Sequence, residues 1–240
     1  MPLLTTVRSD RADTLDIPFL AVVVPEGTIP ASLAALDQAA GGGIGRAYGS
    51  GDFHGKRDET ILLYPASGAA RLLLIGTGAA GKGDANALRR AAAIAGKRAV
   101  QAKVTEAAIL ITPEARGNVP PAQAVRMAAE GAPFGAWRYL ELKRPSDETQ
   151  VVLTSFTILG EAGAETQQGH DVGVAIAQGQ AFARSIQVLP GNTCTPTYLG
   201  EAARDLAKRY GMGITVLDKA AIQKEGMEAL MAVAQGSAQE

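Results

Sequence analysis

The feature that most constrains the fold is an alternation of short apolar runs with segments of helical periodicity over about the first 160 residues. The apolar runs are apolar on both faces, which is typical of strands in a parallel sheet that is covered on both sides. We expect such strands at Ile17–Val24, Thr60–Tyr64, Arg71–Ile75, Ala107–Thr112 and Val151–Leu159. The alternation predicts an α/β/α domain with a mostly parallel sheet.

The helices between these strands are predicted from apolar spacing and from capping residues. Asp84 is a plausible N-cap, after which apolar residues recur at helical spacing. A break is expected near Gly131–Pro133, because a proline disfavours the helical conformation in the residue before it. On these signals we expect helices over Ser32–Ala40, residues 84–99 and Ala122–Leu142.

The sequence changes character after residue 160. The segment Glu161–Gly169 is rich in Gly, Ala and Gln and is predicted to be a linker, and Asp171–Val188 is predicted to be a connecting helix. We therefore predict an N-terminal domain over residues 1–168, a linker helix over residues 169–190, and the start of a second domain over residues 191–240.

This second segment has the pattern of another α/β unit. Thr195 and Pro196 are a good N-cap and first-turn pair for a helix, Gly211 ends that helix, and Asp218 caps the next one. Two apolar runs predict strands at Ile214–Leu217 and Leu230–Ala234. We expect this α/β unit to be begun but not completed within the chain, since its strands would have few partners.

Charge and hydrophobicity disfavour several classes of function. The chain has 23 basic and 24 acidic residues, so its formal charge of −1 gives no general attraction to nucleic acid or to an anionic membrane. The single cysteine, Cys194, cannot form an internal disulfide, and the apolar runs are far shorter than the roughly 20 residues of a membrane-spanning helix. With no recognisable signal peptide, we expect a soluble cytoplasmic protein and no membrane partner.

The segment Gly76–Gly81 has the G-x-G-x-x-G spacing of dinucleotide-binding turns. It follows a predicted strand, but the next helix begins at Asp84, too late for its amides to point at Gly78. A phosphate loop would need Ser or Thr where Gly83 stands, to hold Mg²⁺. We favour a flexible turn here and keep a dinucleotide-dependent enzyme as a weaker alternative.

The other polar and glycine-rich positions form no recognisable catalytic set. Gly41–Gly55 holds seven glycines and could cradle an anion, although a long surface turn is the favoured interpretation. We expect His54, beside Asp52, and His170 to be solvated, and the thiol of Cys194 to be buried. Two acidic pairs are also expected to be solvated, Asp58 with Glu59 and Asp147 with Glu148. From these residues we assign no catalytic, cofactor-binding or metal-binding role.

A further set of short segments is informative through its order along the chain. The most specific are Leu189–Asn192 and Thr195–Leu199. The others are Glu59–Leu63, Arg71–Gly78, Leu88–Ala92, Gly179–Arg184, Val216–Asp218, Glu225–Met227 and Ala232–Ser237. Together they resemble the leucyl (cytosol) aminopeptidase family. Two positions depart from the family's pattern, Ser185 in place of Asp and Val188 in place of Asn.

This resemblance implies a macro-like N-terminal domain beside a catalytic α/β domain that binds two divalent metal ions, Mn or Zn. In the family a Lys, several Asp and a Glu hold the metals, with an Asn-Thr-Asp-Ala-Glu-Gly-Arg motif, and the metals activate water against the N-terminal residue of a peptide. That motif does not occur in these 240 residues. The resemblance therefore implies the N-terminal portion of a leucyl aminopeptidase that is inactive alone. Its expected partners are the remaining catalytic portion, further copies in a hexamer, and a peptide.

A second class of function is a non-catalytic binding module. In that interpretation the glycine-rich loops of the macro-like domain hold a nucleotide or ADP-ribose. DNA is a further alternative because some bacterial relatives bind it, but the near-neutral charge argues against DNA.

Overall fold

The computed structural model of the chain describes residues 3–79, 81, 84–141 and 151–237. These residues form two compact units, Met1–Phe182 and Ala183–Glu240, which we call unit 1 and unit 2. The described strands are β1 (Leu4–Arg8), β2 (Leu20–Glu26), β3 (Thr60–Leu63), β4 (Leu72–Ala79), β5 (Glu106–Ile111) and β6 (Ser155–Leu159). The described α-helices are α1 (Ala34–Ala39), α2 (Gly43–Gly49), α3 (Ala85–Gln101), α4 (Pro113–Arg116), α5 (Pro121–Ala136), α6 (Ala164–Gln187), α7 (Pro196–Tyr210), α8 (Lys219–Lys224) and α9 (Glu228–Ala234).

Unit 1 is built on one sheet with the strand order β1-β6-β5-β2-β4-β3. All neighbouring pairs are parallel except β3 with β4, which are antiparallel. The five strands expected from apolar runs all belong to this sheet. The prediction of a mostly parallel α/β sheet is therefore confirmed.

Helices cover both faces of the sheet. On one face α3 and α5 pack around Phe156 and Leu88, and on the other α1 and α2 pack around Phe53 and Ile44. All four of these side chains are fully buried. Burial on both faces explains why the strands have no polar side in the sequence.

The sequence missed β1 and α4. The strand β1 lies at the sheet edge and pairs only with β6, so Leu4 remains exposed and the run lacks the apolar signature of a central strand. The helix α4 has only four residues, and its N-cap is Thr112, whose hydroxyl oxygen accepts a hydrogen bond from the Ala115 amide. Both elements depend on neighbours that local periodicity does not reveal.

The predicted linker at Glu161–Gly169 is mostly helix, because α6 begins at Ala164 rather than at Asp171. The reason is close packing against α5. A Cβ atom on Gly169 would lie 2.2 Å from the carbonyl oxygen of Ala122, so this glycine allows two helices to touch rather than a chain to bend.

The predicted break near Pro133 does not occur, since α5 continues through this residue to Ala136. Glycines on both sides of the proline pack directly against α3. A Cβ atom would lie 2.2 Å from the Arg89 carbonyl oxygen at Gly131 and 1.8 Å from the Ala93 carbonyl oxygen at Gly135. Contact with α3 therefore holds this turn in helical form despite the lost N–H group.

Unit 2 has the expected helix ends but not the expected strands. Thr195 and Asp218 accept hydrogen bonds from the amides of Tyr198 and Ala221, and Gly211 ends α7 in the left-handed conformation. However, residues 212–218 lie in no helix or strand, and Leu230–Ala234 belongs to α9. A strand needs a neighbour for its backbone, whereas the Glu, Ala, Leu and Met residues of α9 favour a helix locally.

None of the helices in the described part of the chain is long and apolar enough to cross a membrane.

Candidate functional site

The glycine-rich segment at residues 41–55 contains the helix α2, Gly43–Gly49, in place of one long surface turn. The carboxylate of Asp37 accepts hydrogen bonds from the first amides of α2, those of Ile44 at 2.8 Å and Gly45 at 3.0 Å. Because an internal carboxylate already occupies these donors, the segment does not offer them to an external anion. The prediction of a long surface turn over this whole segment is therefore wrong, and the Ile44 and Gly45 amides are not free to bind an anion.

A pocket of about 650 Å³ opens in unit 1 between α2 and the edge strand β3. Its polar lining includes Arg46, Ser50 and Asp52. The Arg46 guanidinium donates to the carbonyl oxygen of Gly41 at 2.7 Å, and the Ser50 hydroxyl donates to the Asp52 carboxylate at 2.7 Å. Sequence reasoning missed this pocket because α2 was not predicted. The pocket carries both signs of charge and favours neither a simple anion nor a simple cation.

His54 is exposed, as expected, but its partner is Glu59 rather than Asp52. The Nδ1 atom of His54 lies 3.6 Å from the Glu59 carboxylate, which also accepts hydrogen bonds from the amides of His54 and Lys56 at 3.0 and 2.9 Å. Burial raises the pKa of Glu59, but these amides outweigh burial and hold the pKa below its ordinary value. A carboxylate stabilised in this way holds the backbone of the loop in place and is a poor general base.

The first two glycines of the G-x-G-x-x-G segment, Gly76 and Gly78, serve close backbone packing rather than a turn. Gly76 and Gly78 lie inside β4, so the expected strand-to-helix turn is wrong at these positions. A Cβ atom on Gly76 would lie 2.1 Å from the Lys56 carbonyl oxygen, and the Gly78 amide donates to the Gly55 carbonyl oxygen at 3.0 Å. The phosphate-loop positions after Gly81 lie outside the described residues.

The carboxyl ends of β2 and β5 meet where the chain leaves the sheet toward opposite faces, which is where open α/β sheets bind ligands. Here the carboxylate of Glu114 accepts hydrogen bonds from the Ser32 amide at 3.2 Å and the Ser32 hydroxyl at 2.7 Å. Burial raises the pKa of Glu114, but these bonds outweigh it and lower the pKa overall. An anionic ligand such as ADP-ribose would therefore meet a carboxylate at this position.

His170 is buried, so the prediction that it is solvated is wrong. Its Nε2 atom lies 2.9 Å from the hydroxyl and 3.0 Å from the carbonyl oxygen of Thr5, and its Nδ1 atom lies 3.2 Å from the Asp171 carboxylate. This hydrogen bond to His170 holds the pKa of Asp171 below its ordinary value. Thr5 is itself buried, so the group ties α6 to β1 and presents no nucleophile to a substrate.

Cys194 and Asp58 lie in surroundings that differ from those predicted from the sequence. Cys194 is partly exposed rather than buried, in the turn before α7. Asp58 forms an ion pair with Arg90, so it is paired rather than simply solvated. Asp147 and Glu148 lie outside the described residues.

Possible metal ligands are not grouped in the described part of the chain. Within residues 3–79, 81, 84–141 and 151–237, no group of three or more His, Cys, Asp or Glu side chains could hold a metal ion. The carboxylates of Asp37, Glu59 and Glu114 are instead engaged by backbone amides. The part of the chain that the structure describes therefore does not fit a two-metal centre.

The architecture defines an α/β protein in which a covered six-stranded sheet precedes a second, mainly helical unit. Two family models match it in the same order. The N-terminal domain of the cytosol aminopeptidase family matches residues 21–146, more than half of the chain, and the catalytic domain of that family matches residues 181–240. The chain belongs to the cytosol aminopeptidase family.

Curated relatives agree with this assignment. A probable cytosol aminopeptidase of Syntrophotalea carbinolica is 37% identical over 217 residues, which cover 86% of this chain and 42% of the relative. The cytosol aminopeptidase of Pseudomonas aeruginosa is 35% identical over 240 residues, covering 97% of this chain and 48% of the relative. The chain therefore spans about half the length of the curated relatives that it matches.

Solved structures share the fold. A mutant of tomato leucine aminopeptidase superposes with a TM-score of 0.77 at 18% identity, covering 92% of this chain and 46% of that one. The bottromycin maturation enzyme BotP, in complex with Mn, superposes with a TM-score of 0.67 at 27% identity, covering 94% of this chain and 43% of that one. Neither family matches nor relatives favour the alternative of a nucleotide- or DNA-binding module.

Proposed function

We propose that this chain is the N-terminal portion of a metal-dependent leucyl aminopeptidase, which releases N-terminal amino acids with leucine-like preference from peptides in the cytoplasm. The observation that carries this proposal is the succession of N-terminal and catalytic family matches along one chain. In the proposed organisation, residues 1–168 are a macro-like domain, residues 169–190 a linker helix and residues 191–240 the start of the catalytic domain. The complete enzyme is proposed to assemble as a hexamer.

In this proposal the complete enzyme would hold two divalent metal ions, manganese or zinc, which would supply Lewis-acid chemistry for peptide hydrolysis. The described residues of this chain supply no ligand set for them. The chain's own contribution is then structural. Unit 1 is an α/β body built on the six-stranded sheet, and α6, which the Thr5–His170 hydrogen bonds attach to β1, continues along the chain into unit 2.

The proposal predicts that hydrolysis needs residues beyond those of this chain. With Mn²⁺ or Zn²⁺ added, the pure chain should release no leucine from a leucyl anilide. A fusion that continues this chain with the part of the Pseudomonas aeruginosa enzyme beyond the aligned region should hydrolyse the same substrate. Colorimetric release of the aniline measures both. Clear turnover by the pure chain, or an inactive but folded and metal-loaded fusion, would contradict the proposal.

A further inference from the structure

The pocket between α2 and β3, which we call the α2–β3 pocket, extends along the whole of α2 in unit 1. Its lining runs from Gly43, the first residue of the helix, to Asp52, just after the helix ends. The floor is apolar, because Ala47 is buried and the partly buried Ile61 and Leu63 pack against the core on this face of the sheet. Ile61 and Leu63 are two positions apart in β3, so their side chains lie on one face, about 7 Å from each other. An occupant of this pocket therefore needs an apolar body.

The two charged side chains of the pocket are held at opposite ends of α2. The Arg46 guanidinium donates to the carbonyl oxygen of Gly41, before the helix begins. The Asp52 carboxylate accepts from the Ser50 hydroxyl, where the helix ends. Because a helix rises about 1.5 Å per residue, the seven residues of α2 separate the two charges by about 10 Å. At this distance the two side chains do not neutralise each other, and both remain able to contact a ligand.

This arrangement of charge selects a ligand that carries both signs. A simple anion would be attracted by Arg46 and repelled by Asp52, and a simple cation would experience the reverse. A zwitterion with its carboxylate at Arg46 and its ammonium group at Asp52 matches both ends. The guanidinium has N–H groups beyond the one bonded to Gly41, and the Asp52 carboxylate has a second oxygen, so both contacts can be charge-assisted hydrogen bonds.

The separation of the two charges sets the length of the zwitterion. With a hydrogen bond at each end, an extended amino acid spans at most about 9 Å, a dipeptide about 13 Å and a tripeptide about 16 Å. The amino acid is too short to bridge about 10 Å, and the tripeptide would have to buckle. A dipeptide reaches both charges with a slight bend, and the pocket volume of about 650 Å³ has room for its two side chains.

We propose that the α2–β3 pocket binds a dipeptide with apolar side chains, whose carboxylate contacts Arg46 and whose ammonium group contacts Asp52. Every residue of this site belongs to unit 1, so the inference goes beyond the proposed function and holds whether or not the complete enzyme hydrolyses peptides. Dipeptides are the last peptides that stepwise removal of N-terminal residues leaves. Under the proposed function, the pocket would therefore collect the end of the reaction sequence.

The test uses the full chain with a chelator present and leucyl-leucine as the probe. Titration followed by amide chemical shifts should show saturable binding in about the millimolar range, since both charged contacts are open to solvent. The shifts should be confined to residues 43–52 and 60–65, which contain α2 and β3. Absence of saturable binding by the folded chain, or shifts spread over unit 2 instead, would overturn the proposal.

Analogues of the probe test each contact without altering the protein. N-acetyl-leucyl-leucine lacks the ammonium group, leucyl-leucine amide lacks the carboxylate, and glycyl-glycine lacks the apolar side chains. Each should bind about fivefold or more weakly than leucyl-leucine, because each loses one contact. Leucine and trileucine should also bind more weakly, since neither has the length that the two charges require. Equal binding of leucine and leucyl-leucine would refute the two-ended contact, even where a variant of the chain fails to fold.

Substitutions connect each end of the ligand to its side chain. In Arg46→Gln the preference for leucyl-leucine over its amide should disappear, and in Asp52→Asn the preference over the acetylated probe should disappear. Arg46→Lys keeps the charge and should keep the first preference. The matched control is Arg98→Gln, at an exposed arginine of α3, which packs on the other face of the sheet. It should change binding by less than about twofold. An equal effect of Arg46→Gln and Arg98→Gln would contradict the assignment.

The site and the proposed function fail separately. A chain that binds leucyl-leucine in this pocket, while its metal-loaded fusion hydrolyses no peptide, would refute the proposed function and keep the site. A fusion that hydrolyses peptides, while the folded chain binds no dipeptide, would refute the site and keep the proposed function.

Discussion

Units 1 and 2 have similar local sequence signals but differ in how much hydrophobic core their described residues form. In unit 1, helix caps and apolar runs lead to a sheet covered on both faces, with Phe19, Phe53 and Phe156 fully buried. In unit 2, α7 and α8 have N-caps of the same kind, yet Ala207 is the only buried hydrophobic side chain among its described residues. Caps and glycines are thus sufficient to define helices, whereas a core needs elements from elsewhere in the chain or its partners.

The largest expected difference between the units concerns truncation of an apolar side chain. Phe156→Ala should destabilise unit 1 by about 3–5 kcal/mol, because it leaves a cavity between the sheet and its helices. Leu230→Ala in unit 2, where the side chain is 53% exposed, should change stability by less than about 0.5 kcal/mol. Urea unfolding followed by the fluorescence of the single tryptophan, Trp137 in unit 1, measures the first effect.

The effect of Leu230→Ala needs a different measurement, because the single tryptophan, Trp137, lies in unit 1 and does not report on unit 2. Amide hydrogen exchange within unit 2 measures it. If Leu230→Ala raised exchange throughout unit 2 as strongly as Phe156→Ala does in unit 1, unit 2 would have a core of its own. The contrast between the units would then be wrong.

The same contrast explains how far the sequence predicts the fold. Central strands such as β4 and β5 are recognisable because both faces are buried, which makes the run apolar. The segment Ile214–Leu217 has a similar run but no strand neighbour among the described residues, and pairing is non-local. The edge strand β1 has a neighbour on one side only and lacks the apolar signature.

The polar sites were less predictable because their partners are distant in sequence. Thr5 and His170 are separated by 165 residues, and Ser32 and Glu114 by 82. Nothing in the local pattern around His170 indicates that a strand from the start of the chain buries it. His54 was paired with the wrong neighbour for a related reason, since the turn that brings Glu59 back to it depends on packing against β4.

Glycines within α6 give a prediction of intermediate size. A Cβ atom on Gly173 would lie 2.6 Å from the Arg126 carbonyl oxygen and 2.8 Å from the Cβ atom of Ala129, so Gly173→Ala should push α6 from α5 and cost about 1–3 kcal/mol. Gly179 faces open space in the same helix, so Gly179→Ala should stabilise by about 0.5–1 kcal/mol. Urea unfolding measures both, and a loss of stability in both would indicate that helix packing is not the cause.

The smallest effect is a loss of stability at alkaline pH that belongs to unit 1. The Tyr48 hydroxyl is buried without a hydrogen-bond partner among the described residues, and burial, followed by the Glu59 charge, raises its pKa to about 12. Because the folded-state pKa of Tyr48 exceeds the unfolded value of about 10, the contribution of Tyr48 to stability is complete below pH 10 and is lost as pH rises toward 12.

Tyr48→Phe should flatten that part of the stability curve with little effect at neutral pH, whereas Tyr210→Phe, at an exposed ring in unit 2, should leave it unchanged. Absorbance titration of the phenolates together with urea unfolding between pH 9 and pH 12 measures this, and an unaltered alkaline slope in Tyr48→Phe would show that Tyr48 is not its source.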